Sequence, residues 1–115
     1  MDQQEYLRRA DACLAEVAKW LEEFDPDELD FSTAEGLVTL EFPDGARFIL
    51  NRQAASSQIW FAAGARAWHY KWDGARQAWV DVKDGHDLHA KLAEVVSEKI
   101  GRSVQLSHDV LGHSL

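Results

Sequence analysis

Apolar residues change their period twice along this chain, and that change constrains the fold more than any other feature. In residues 2–24 they recur at spacings of three and four. Tyr6, Ala10, Cys13, Leu14, Val17, Trp20, Leu21 and Phe24 form one stripe, the pattern of an amphipathic helix. In the middle of the chain they recur at every second position. Leu29 and Phe31, then Val38, Leu40 and Phe42, then Phe48 and Leu50, Ile59 and Phe61, and finally Trp68, Tyr70 and Trp72 alternate with other residues, and residues 79–82 add a last short strand. Pro43-Asp44-Gly45 and Asp73-Gly74 are turn signals, so the strands are expected to be consecutive and antiparallel. The helical period returns in residues 86–100 with Leu88, Leu92, Val95, Val96 and Ile100. Asp84, with Asp87 three residues later, is the expected N-cap, and Gly101 the expected stop. The order helix, about six strands, helix implies an α+β fold: a two-layer α-β sandwich with two helices on one face of a mostly antiparallel sheet.

The 115 residues are expected to form one domain, residues 1–115, ending in a short tail at 102–115. One cysteine, Cys13, excludes an internal disulfide and fits a reducing compartment. It lies on the apolar stripe of the first helix and is expected to be a buried small hydrophobe. No apolar run reaches transmembrane length, and the N-terminus has no signal character, so the expected location is cytoplasmic. A net charge of -8 argues against nucleic acid and anionic membranes as partners.

That charge is not spread evenly. Residues 1–44 hold 13 acids and 3 bases, and the rest hold 7 acids and 9 bases. Six of the nine residues at 22–30 are carboxylates (Glu22, Glu23, Asp25, Asp27, Glu28 and Asp30), and none is basic. Like charges this close repel and weaken the fold. Asp25-Pro26-Asp27 is expected to stop the first helix, which puts acids at a helix C-terminus, where they oppose the macrodipole. Glu28 and Asp30 are expected on one side of a short strand with Ser32. Such a run either is a solvated face or serves something positive, a hard cation or a basic protein surface. With no histidine or thiol in it, the metal binding it supports is weak, partly hydrated and unselective, open to other divalent cations.

Strand parity defines a second surface. If Phe48, Leu50, Ile59 and Phe61 point to the core, then Asn51, Gln53, Gln58 and Trp60 point outward, and His69 joins them from the next strand. A tryptophan amid amides and a histidine is a candidate protein-binding anchor. His86 and His89 stand at i and i+3, a spacing that can hold a metal but more often marks surface residues. His108 and His113 carry no pattern. No Glu-x-x-His motif occurs, so a di-iron oxidase site is not indicated.

The stretch Asn51-Arg52-Gln53, then Ala-Ala-Ser-Ser, then Gln58-Ile59-Trp60-Phe61-Ala62 resembles the signature strand–loop–strand of the frataxin family. The resemblance covers nearly the whole chain. It extends to an acidic first helix and strand, an aromatic strand around Trp68-His69-Tyr70, Trp79, and a closing helix with Leu88-His89. It is similar in length to the bacterial members. It implies an iron-binding protein (ferrous or ferric, weakly held) of iron–sulfur cluster assembly, acting as iron donor or sensor and as a regulator rather than an enzyme. It implies that the acidic ridge meets a basic surface of the cysteine desulfurase. It also implies that the face around Asn51 and Trp60 contacts the assembly machinery and the iron–sulfur scaffold protein. The expected state is a monomer, with metal-driven oligomerisation as the variant. A ferroxidase or iron-storage oligomer, and an acidic interaction module without metal, are the alternatives. Ala18, Lys19 and Ser32 stand where bacterial relatives often carry acids, which shifts the expected metal set to Glu22, Glu23, Asp25, Asp27, Glu28 and Asp30.

Overall fold

Helix α1 spans Gln3–Leu21 in the computed structural model, which describes residues 1–106. Asp2 caps it, its carboxylate accepting the Glu5 N–H at 2.8 Å. The predicted stripe is buried from Tyr6 to Leu21, and Cys13 lies in it as expected. The helix ends three residues before the stripe does. Glu22 is the C-cap, and the N–H groups of Glu23 and Phe24 fall back to the carbonyls of Trp20 and Leu21 at 3.1 and 3.2 Å. Clustered negative charge at this end disfavours another helical turn, and Pro26 holds Asp25 out of helical geometry. Phe24 still reaches the core, edge-on to Trp20 with ring centroids 5.0 Å apart.

The strands are β1 (Asp30–Ala34), β2 (Leu37–Glu41), β3 (Arg47–Gln53), β4 (Gln58–Ala63), β5 (Arg66–Asp73) and β6 (Ala78–Asp81), followed by helix α2 (Leu88–Ile100). The fold is α+β, with two helices and a six-stranded antiparallel sheet whose strands follow chain order. Three further boundaries differ from expectation. Strand β1 begins at Asp30, so Glu28 lies in the preceding turn and does not share a strand face with Asp30 and Ser32. Val82 falls outside β6 and is exposed. Helix α2 begins at Leu88, capped by Asp87 rather than Asp84. The Asp87 carboxylate accepts the Ala90 N–H at 2.8 Å, while Asp84 folds back on His86. Gly101 ends α2 in the left-handed region, φ 78°, as its position predicts. Of the tail, residues 107–115 and the histidines there lie outside the described residues.

The chain divides into two compact units, Met1–His69 and one that begins at Tyr70. In the first, α1 packs on β1, β2 and β3 over a core that includes Val38, Leu40, Phe48, Leu50, Ile59 and Phe61. Arg52 of β3 fastens this unit by pairing with Asp11 of α1 and with Glu35 of the β1–β2 turn. The Tyr6 hydroxyl donates to the Gln58 carbonyl at 2.7 Å. In the second unit α2 packs on β6, and Tyr70, Trp79, Leu88, Leu92, Val95 and Val96 are buried.

Candidate functional site

Residues 22–30 form a turn pinned by two apolar side chains. Phe24 and Leu29 are 8 % and 1 % exposed, and the acids between and around them point away from that anchor. Glu22, Glu23, Asp25, Asp27 and Asp30 are exposed and Glu28 is partly covered. Asp25 organises the turn. Its carbonyl accepts the N–H groups of Glu28 and Leu29 at 2.8 and 3.0 Å, and its Oδ1 accepts the Asp27 N–H at 2.9 Å. Asp30 likewise commits Oδ1 to the Phe31 N–H at 2.8 Å. Asp25 and Asp30 therefore each have one oxygen held by backbone. Among the described residues no three of the six bring ligand atoms within 4.8 Å of one another, so the predicted metal set lines the turn without converging on one point.

The second predicted surface lies on β3, β4 and β5. Asn51 stands directly opposite Trp60, and Gln53 opposite Gln58, in the β3–β4 ladder. Outward parity holds: Ile59 and Phe61 are fully buried, whereas Gln58 and Trp60 are partly open. The Trp60 indole N–H donates to Gln58 Oε1 at 2.7 Å. Its ring stacks on His69 at 4.1 Å with only 7° between the planes. Trp60 is thus half-covered rather than exposed, and its rotamer is fixed from two sides. A side chain held this way loses little entropy when a partner covers it. Tyr70 is core as expected; Trp68 and Trp72 are only partly covered, with Trp68 tilted on Phe61 at 5.3 Å.

His86 and His89 do not form a pair. His86 precedes α2 and is partly open, while His89 is 2 % exposed on the buried side of the helix. His86 instead joins Asp81 and Asp84, and one ligand atom from each of the three lies within 4.8 Å of the others. The spacing Asp-x-x-Asp-x-His carries this signal in the sequence. Reading Asp84 as a helix cap conceals it.

A dense carboxylate turn and an aromatic–amide sheet face thus lie on an α+β scaffold of two helices and a six-stranded antiparallel sheet. The chain matches the frataxin-like domain family model over residues 1–102, and it belongs to that family. The iron–sulfur cluster assembly protein CyaY of Dechloromonas aromatica is 37 % identical over 107 residues, covering 92 % of this chain and 99 % of the relative. The protein of the same name in Thioalkalivibrio sulfidiphilus is 38 % identical over 98 residues, covering 84 % and 92 %. Among solved structures, the frataxin from Psychromonas ingrahamii shares the fold with a TM-score of 0.83 at 24 % identity, covering 94 % of this chain and all of that one. Trimeric frataxin from the yeast Saccharomyces cerevisiae, in a ferrous complex, gives a TM-score of 0.71 at 28 % identity and covers 82 % and 87 %. Among the described residues, no helix is long and apolar enough to cross a membrane.

Proposed function

We propose that this protein takes part in iron–sulfur cluster assembly as a cytoplasmic iron-binding and regulatory subunit. In this reading the turn at residues 22–30 has two uses. Glu22, Glu23, Asp25, Asp27, Glu28 and Asp30 hold ferrous or ferric iron weakly as cargo, and the same carboxylates dock a basic surface of the cysteine desulfurase. Asn51, Gln53, Gln58, Trp60 and His69 form the second contact, toward the iron–sulfur scaffold. The observation that carries the reading is the turn itself: five exposed carboxylates and a partly covered sixth, fixed by Phe24 and Leu29. The relatives named for cluster assembly and the ferrous complex of the yeast protein support it. The open spacing of the carboxylates supports weak binding and access for other divalent cations. The protein acts as a monomer on its partners, and cation bridging between ridges offers a route to oligomers.

Calorimetric titration with ferrous ion, with and without the desulfurase, tests this directly. Replacing Asp25, Asp27 and Glu28 by their amides is expected to weaken both interactions by tenfold or more, and desulfurase affinity is expected to fall steeply with salt. Trp60→Ala is expected to leave iron binding unchanged and to weaken the scaffold contact. Iron affinity unaffected by the triple amide variant would remove the ridge from the proposal.

A further inference from the structure

Asp81 is 5 % exposed, in the last position of β6. Its Oδ2 accepts the backbone N–H groups of Lys83 and Asp84 at 2.8 and 3.0 Å, while Oδ1 takes part in no hydrogen bond among the described residues. Nor does Asp81 form an ion pair there. Of the bases around this turn, Arg76 donates to the Gly85 carbonyl at 2.8 Å and Lys91 pairs with Glu94 at 3.3 Å while also acting on Asp84; among the described residues the Lys83 ammonium pairs with neither aspartate. Oδ2 is satisfied by backbone and Oδ1 keeps access to solvent, so Oδ1 is where a cation could reach this otherwise buried carboxylate.

The β6–α2 turn supplies two further ligands on the same spot. The Asp81 N–H donates to the His86 carbonyl at 2.8 Å and the Gly85 N–H to the Asp81 carbonyl at 3.0 Å, so the loop closes on itself and brings Asp84 and His86 back to Asp81. His86 is then oriented by its outer partner. Nε2 lies 2.7 Å from the hydroxyl of Tyr70, which is fully buried, and Nδ1 lies 2.6 Å from Asp84 Oδ1. Metal-binding histidines commonly give their second ring N–H to such an outer acceptor, which fixes the tautomer and frees the other nitrogen for the metal. Without a cation the Nδ1–H donates to Asp84 Oδ1; a cation would take the place of that proton, and the Tyr70 hydroxyl oxygen, fixed in the core, is positioned to accept the Nε2–H.

We propose that Asp81, Asp84 and His86 form a binding site for a divalent transition cation of the Zn²⁺ or Co²⁺ class, with Tyr70 as a positioning residue. The donor set of two oxygens and one imidazole nitrogen suits a borderline cation better than Ca²⁺ or Mg²⁺. Tetrahedral binding needs ligand atoms roughly 3.4 Å apart, so the Asp84–His86 contact opens by under about 1 Å. Asp84 has room for that movement, since its side chain is 70 % exposed, and the movement loosens its Oδ1 contact with the His86 ring. The remaining position goes to water. This site lies wholly in the unit that begins at Tyr70 and does not depend on the turn at residues 22–30.

Zinc titration of the ¹⁵N-labelled protein, read at the histidine ring nitrogens and the backbone amides, tests the site. Saturable one-to-one shifts at His86 and residues 81–87 are expected, and they are expected to persist in the Asp25, Asp27 and Glu28 amide variant. His86→Asn and Asp84→Asn are expected to weaken this binding at least tenfold, and Tyr70→Phe by a smaller factor with the His86 ring tautomer altered. Preserved amide dispersion without zinc shows that each variant folds. Co²⁺ is expected to give visible d–d absorption of low-symmetry N/O coordination in the parent and to lose it in His86→Asn. The proposal fails if zinc shifts only residues 22–30. It also fails if His86→Asn and Asp84→Asn, both folded, bind zinc as the parent does. A His86 ring that stays doubly protonated at pH 7.5 in saturating zinc would show that the imidazolium itself is the counter-charge, and would overturn the site as well.

Discussion

Both tyrosines are buried, and the hydroxyl of each makes a hydrogen bond. Tyr6 donates to the Gln58 carbonyl, and Tyr70 meets His86. Burial is the first cause of an upward pKa shift in both. The unfolded chain loses these protons near pH 10, whereas the folded chain keeps them to higher pH. Their contribution to stability is therefore complete below pH 10 and is lost as pH rises above it. Phenolate absorbance at 295 nm is expected to appear together with loss of the far-ultraviolet dichroism, above pH 10. A phenolate signal growing at pH 10 with the fold intact would show that the hydroxyls are open to solvent. At this scale the sequence indicates direction better than depth. Alternation placed Trp60 and His69 on the outer side correctly, since parity is a property of the backbone. That Trp60 is half-covered follows from one stack and one amide bond, which depend on rotamers in two strands.

Elements were legible in kind and order, while their ends were decided by charge and capping that periodicity does not encode. Helix α1 stops at Leu21 although Phe24 continues its stripe, because a buried residue can reach the core from a turn as well as from a helix. At α2 two aspartates competed for the cap, and Asp87 won because Asp84 is bound to the N–H and ring of His86. The β1–β2 turn shows how one residue can hold several elements. Gly36 sits at φ +71°, and a Cβ there would lie 2.9 Å from Arg52 Nε, while Arg52 is engaged with Asp11 and Glu35. Gly45 at φ +90° has open space around it. Alanine is strained at both, by about 1–2 kcal/mol from the backbone alone. Only at Gly36 must the Arg52 pairs also shift. Gly36→Ala is thus expected to lower stability in urea by about 1 kcal/mol more than Gly45→Ala does. Equal losses would mean that Arg52 moves aside freely and fastens nothing.

On the scale of the whole chain, the acidic excess in residues 1–44 is a standing cost to the fold. Neutralising part of it with the Asp25, Asp27 and Glu28 amides is expected to raise the melting temperature at low salt, and less so at 0.5 M salt, where repulsion is screened. Added Mg²⁺ or Ca²⁺ is expected to raise the melting temperature of the parent and to have a smaller effect on that variant. A parent indifferent to saturating cation would count against binding at the native ridge.

The boundary between the two compact units falls inside β5, after His69, and the frataxin-like family match runs across it from residue 1 to residue 102. An unbroken strand is a poor place for a domain boundary, because boundaries fall in exposed linkers. We therefore propose that residues 1–115 unfold as one domain. Heating is expected to give a single transition, with ellipticity at 222 nm and near-ultraviolet aromatic signals changing together and the calorimetric and van't Hoff enthalpies equal. The tryptophans make the comparison informative: Trp20, Trp60 and Trp68 lie in the first unit and Trp72 and Trp79 in the second. Replacing Trp72 and Trp79 by Phe would leave fluorescence to report the first unit alone. If that emission changed at a temperature distinct from the α2 signal, followed by amide exchange at residues 92–96, the units would be separate domains sharing a strand.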